Sequence, residues 1–81
     1  MSSMDMTYSK EISQEEVAQA AVDVLANSSV AELRTLRVDK TETELQLSGR
    51  VRSFYHKQLA QETVRPVAGG MQVVNRVMVS A

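Results

Sequence analysis

The single histidine of the chain, His56, stands beside Lys57, and such a pair invites a search for acid–base chemistry. A helical wheel argues against it. His56 falls among Leu59, Ala60 and Thr63, inside an apolar stripe, where a boundary histidine with one hydrogen-bonded nitrogen is the expected state. No second ligand type stands at the spacing a metal site needs. Glu42 and Glu44 share a strand face, but paired catalytic carboxylates need a pocket that drives their pKa values apart. At a hairpin tip both are expected to be solvated. The chain has no cysteine, so thiolate catalysis, cysteine-based zinc binding and disulfides are excluded. No P-loop, dinucleotide fingerprint or nucleophile elbow occurs. These residues predict no catalytic site, no metal and no cofactor. Binding rather than turnover is the expected activity.

One segment has the residue types for binding: Gly49-Arg50-Val51-Arg52-Ser53-Phe54-Tyr55-His56-Lys57. Ser53 reads as the N-cap of a helix. Helix starts favour acids, yet here Arg52 precedes the cap, and His56 and Lys57 follow in the opening turns. Free amides with basic side chains around them form an anion site. Phe54 points off the apolar stripe and is placed to touch an acyl chain or a partner. Arg50, Arg52, Ser53, Phe54 and Lys57 are therefore the candidates for a phosphate headgroup. The plainer reading is that Arg50 and Arg52 pair with acids of the first helix or first strand.

A second candidate lies near the C-terminus. Val74 and Met78 fall on the strand face opposite Val73, Val77 and Val79, with Arg76 between them. Two apolar side chains on an otherwise polar sheet face predict a small contact surface for a protein partner or a second copy. Scattered surface hydrophobes are the plainer alternative.

The elements that must position these residues are legible in the spacing. Ser13-Gln14-Glu15-Glu16 is a capping box, with Ile12 and Val17 as a hydrophobic staple around it. Val17, Ala21, Val24 and Leu25 follow on one face, and Asn27-Ser28-Ser29 ends the helix. A strand is predicted over Thr35 to Asp39 and another over Thr43 to Val51. The second turns Leu45, Leu47, Gly49 and Val51 inward. Their connection, Lys40 to Glu42, lacks the residues of a tight primed turn, so a longer polar loop is expected. Gly49 is expected to let a helix approach closely. A second helix runs from Ser53 with Leu59, Ala60, Thr63, Val64 and Val67 as its stripe. Pro66 should end it and push Arg65 out of helical geometry. Gly69-Gly70 permits the reversal into a last strand over Gln72 to Ser80. The fold expected is α+β, in the order αββαβ. A three-stranded mixed sheet carries both helices on one face, with the first two strands antiparallel and the last parallel to the second.

Composition bounds the rest. Eighty-one residues make one domain. Residues 1–11 read as a disordered lead and 12–81 as the domain, a core too small to enclose a deep cavity. The net charge of −1 hides a split. Through Glu32 six acids face one lysine, and from Leu33 onward eight basic residues face four acids. The two halves are expected to neutralise each other across the fold. The start shows no secretory h-region and no apolar run approaches the ~20 residues of a membrane span. The chain as it stands is expected in the cytoplasm, or at the membrane periphery or in the periplasm if residues ahead of it have been trimmed.

Leu36-x-Val38, Leu45-x-Leu47-Ser48-Gly49-x-Val51, the following helix, Gly69-Gly70 and Val73-Val74-Asn75-x-Val77-x-Val79 together resemble the BON domain. This is the small bacterial module of osmotically induced and secretin-associated proteins. The resemblance covers about Val17 to Val79. It implies an αββαβ fold without enzymatic activity, and association with membranes or phospholipid. The function expected is attachment to a membrane surface or anionic phospholipid. The alternative is a protein-protein or self-association module using the open sheet face. Nucleic acid is not expected. The element order is similar to K-homology domains, but their G-x-x-G loop is absent and no aromatic pair stands on the strands for base stacking.

Overall fold

The computed structural model describes residues 13–80. The expected lead over residues 1–11 and the Ile12 half of the staple lie outside the described residues. Helix α1 spans Gln14–Ala26 and opens as its sequence dictates. The Ser13 hydroxyl accepts from the Glu16 amide at 3.1 Å, and the Glu16 carboxylate accepts from the Ser13 amide at 3.0 Å. Val17, Ala21 and Leu25 are its buried residues, one face of a 3.6-residue period. Asn27 closes the helix, its side chain donating to the Asp23 carbonyl at 2.9 Å.

A 3-10 turn over Ala31–Thr35 follows, an element that periodicity does not reveal because five residues are too few to show a stripe. It buries Leu33 completely. Thr35 belongs to this turn, where its hydroxyl donates to the Glu32 carbonyl. Strand β1 is therefore Arg37–Lys40 and not the expected Thr35–Asp39.

The expected second and last strands both bend. Strand β2 is Glu44–Ser48 and β3 is Arg50–Val51, interrupted at Gly49. Strand β4 is Gln72–Asn75 and β5 is Met78–Val79. The sheet order is β1-β2-β4, beside a two-stranded β3-β5 sheet. β1 is antiparallel to β2, while β4 and β5 run parallel to β2 and β3. The amides of Arg76, Met78 and Ser80 donate to Leu47, Gly49 and Val51, so the two chains stay bonded through the bend. The break lies at Gly49. Gly49 has φ +132°, a conformation side chains resist, and a Cβ there would lie 2.7 Å from Leu36 Cδ2. Its neighbour is thus the β1 end, where a close helix had been expected. On the other strand the Asn75 side chain accepts the Val77 amide at 3.1 Å; that amide alternates with the bonded amides of Arg76 and Met78 and points to the open edge, so the ladder is undisturbed.

The β1–β2 connection is tighter than the longer polar loop expected: the register that pairs Lys40 with Leu45 runs on to Thr41, whose amide donates to the Glu44 carbonyl at 2.9 Å, so Glu42 and Thr43 alone make the turn. The Thr41 hydroxyl accepts from the Thr43 and Glu44 amides, at 3.3 and 3.0 Å. Helix α2 spans Phe54–Val64 with Ala60 and Val64 buried. The α-helix ends before Pro66, but Arg65 keeps helical angles (φ −52°, ψ −44°) against expectation. The chain tightens into a 3-10 turn over Arg65–Val67, where proline at an opening position has no bond to lose. Gly69, at φ +62°, then allows the reversal.

Leu45 and Leu47 of β2 are fully buried at the centre, between Val17, Ala21 and Leu25 of α1 and Ala60 and Val64 of α2. Each such leucine contributes about 1.5–3 kcal/mol on burial. The molecule is an α+β sheet of three mixed strands backed by two helices, which fixes the start of α2 at the β3 end of the sheet.

Candidate binding surface

The start of α2 is assembled from three parts of the chain. Ser53 is its N-cap and accepts from the His56 amide at 3.1 Å. α2 has no acid in its first turn. The missing carboxylate arrives from the connector turn: Glu32 Oε1 accepts from the Arg52 amide at 2.8 Å and lies 3.1 Å from His56 Nδ1. Glu32 Oε2 is 3.8 Å from Arg52 Nε. Glu32 and His56 are both about three-quarters covered, at 27% and 28% side-chain exposure, so their contact is partly shielded from solvent. From the other side Asn75 donates to the Lys57 carbonyl at 2.8 Å and to Gln61 Oε1 at 3.3 Å. Glu32 thereby links the acidic first part of the chain to the basic remainder.

Around this clasp the side chains turn outward. The Arg52 side chain is 86% exposed despite its ion pair. Phe54 is 75% exposed, and Tyr55, which the wheel did not single out, is 68% exposed. The Tyr55 ring leans on the His56 ring, centroids 5.5 Å apart and planes tilted by 53°. Ser53 and Lys57 are half-buried, and Arg50 is exposed on β3. Of the second candidate group, Val74 is half-buried, Arg76 is exposed and Met78 is 61% exposed.

The two groups meet. Arg50 and Met78 are register partners in the β3-β5 pair, so their side chains leave the sheet on the same face. Val74 and Arg76 sit farther along, Val74 opposite Gln46 of β2. Arg50, Arg52, Phe54, Tyr55 and Met78 thus belong to one end of the molecule. The amides there are partly engaged: Glu32 holds that of Arg52, the Ser53 hydroxyl that of His56, and the Ser53 carbonyl that of Lys57. An anion at this end would meet side chains more than helix amides.

Sequence spacing missed Glu32 and Asn75 as parts of this end. Glu32 acts across 20 and 24 residues, a separation with no local signature. Tyr55 stands one turn before Leu59 at the edge of the stripe, so spacing alone gave no sign of its exposure.

Among the described residues no helix is long and apolar enough to cross a membrane, and no group of three histidine or acidic residues is placed to hold a metal. A partly engaged helix start with exposed aromatic and basic side chains belongs here to a small α+β module. The module belongs to the BON domain family, whose family model matches residues 13–81. That membership is consistent with a small binding module of non-catalytic type. No curated protein matches the sequence.

Proposed function

We infer that this BON domain is a non-enzymatic module that attaches to membrane surfaces through anionic phospholipid, using the β3–α2 end. One observation carries the reading. Among the described residues four large hydrophobic side chains are exposed, and three lie at this end: Phe54 and Tyr55 open α2 just after Arg52, and Met78 shares the open sheet face with its register partner Arg50. Aromatic rings suit the membrane interface, where one part is apolar and another wet, while arginine and lysine answer the anionic headgroups. Each basic residue near an anionic bilayer is worth about 1 kcal/mol, so Arg50, Arg52 and Lys57 give weak, reversible attachment.

Vesicle co-sedimentation tests it. The domain should pellet with anionic vesicles, ignore zwitterionic ones, and release as salt shortens the Debye length below about 10 Å. The pair Arg52→Glu and Lys57→Glu should abolish binding. The half-buried Val74 and exposed Met78, with Arg76 between, favour a second reading: self-association or a protein partner on the open sheet face. A domain that ignores anionic vesicles at low salt yet self-associates at high concentration moves the function there.

A further inference from the structure

Glu32 occupies the groups that an anion would use. Its carboxylate has the chemistry of a phosphate oxygen, a charged acceptor, and it sits against the Arg52 amide, the Arg52 guanidinium and the His56 ring. The three contacts are unequal. The amide bond at 2.8 Å is short and fixed by backbone. The guanidinium contact at 3.8 Å is long, on an arginine whose side chain is 86% exposed and able to swing away. Glu32 itself rides on a five-residue 3-10 turn, held from below by the buried Leu33 and at its far end by the Arg34 guanidinium on the Ser28 carbonyl.

We propose that Glu32 is a tethered competitor: its carboxylate neutralises Arg52 in the free domain and gives the guanidinium up when a phosphate headgroup arrives. The inference rests on the lipid-surface reading and adds its regulation. A negative charge fixed within the contact surface weakens attachment to every anionic membrane, so only surfaces of high anionic density displace it. The exchange needs no refolding. The guanidinium rotates outward while Glu32 keeps the Arg52 amide and His56, so the start of α2 stays formed.

Glu32→Gln keeps an oxygen for the Arg52 amide and removes the charge. Glu42→Gln makes the same charge change at the hairpin tip, at the opposite end of β2 from β3. Binding to phosphatidylglycerol vesicles at low salt should strengthen about fivefold or more in Glu32→Gln and by less than about twofold in Glu42→Gln. In the unmodified protein, soluble short-chain phosphatidylglycerol should shift the Arg52 Nε–H NMR signal while the Arg52 amide stays near its free position. Two results overturn the proposal and leave the lipid reading standing. One is binding by Glu32→Gln no tighter than by Glu42→Gln. The other, which needs no variant, is an Arg52 Nε–H signal that stays put while Phe54 and Tyr55 shift. If neither the unmodified protein nor Glu32→Gln binds anionic vesicles, the lipid reading fails and the competitor with it.

Discussion

Both helices open on a serine, and they obtain their carboxylates in different ways. At α1 the acid is Glu16, three residues past Ser13, and the two side chains satisfy each other's amides. At α2 the acid is Glu32, in another element altogether, and it reaches the Arg52 amide just ahead of the cap. The first start is self-contained. The second keeps its own Ser53 cap but draws its carboxylate from the connector turn and a side-chain donor from β4. A local cap leaves the surrounding surface ordinary. A carboxylate supplied from elsewhere stands in for acids in the first turn of α2, and that turn instead displays Phe54 and Tyr55 with Lys57 behind them. The difference separates a helix start that serves stability from one available for contact.

The sharpest way to break this contrast is to cut the support of α2 from the sheet side. Asn75 satisfies the Lys57 carbonyl and the Val77 amide together. Asn75→Ala removes both bonds; the Lys57 carbonyl keeps its helical partner, so the loss should fall at about 1–3 kcal/mol in total. Chemical denaturation should show this loss, and hydrogen exchange should rise first in the opening turns of α2 and in β5. Exchange rising equally in α1 would mean that α2 has no separate dependence on tertiary support.

The matching change at α1 is smaller. Ser13→Ala removes one half of the capping box and should cost about 0.5–2 kcal/mol. For a domain of this size, 1 kcal/mol lowers Tm by about 4–8 °C. Fraying should stay within the first turn of α1 and leave the Arg52 and His56 amides as protected as before. An unchanged Tm would show that the buried Val17, Ala21 and Leu25 hold α1 without its cap.

The same contrast marks what the sequence discloses. The αββαβ order, the Ser13 box, the Ser53 cap and the stripe of α2 rest on contacts within a few residues or on periods of two and 3.6, and the sheet order follows from that order through the hairpin and the crossover between parallel strands. The break at Gly49 was hidden because alternation continues through it: Leu47 and Val51 are both buried on either side of it. Only φ +132° shows it. The connector turn was too short to carry a period. At the start of α2 the exposed Phe54 and the basic residues were legible as a conflict with the helix dipole. Glu32, which relieves that conflict, was not, since nothing in spacing joins residue 32 to residues 52 and 56. Meeting of Arg50 and Met78 likewise depends on the parallel register of β3 and β5.

The smallest effect on stability belongs to the pair that should matter most for attachment. Phe54 and Tyr55 are 75% and 68% exposed, so Phe54→Ser with Tyr55→Ser removes little buried area. Serine, tyrosine and phenylalanine have similar helix propensities, and surface changes of this kind stay within about 0.5 kcal/mol. The Tyr55–His56 ring contact is lost, but His56 keeps Glu32 and its amide keeps Ser53. The unfolding curve should therefore stay close to that of the unmodified domain. Vesicle binding should not. Arg50, Arg52 and Lys57 remain, so a purely electrostatic contact would survive the double variant and keep its steep salt dependence. A contact in which the rings enter the interface loses its apolar share, and the residue of binding should vanish already at moderate salt. Full binding with unchanged salt dependence would assign attachment to the charges alone. The aromatic display at the start of α2 would then need another partner.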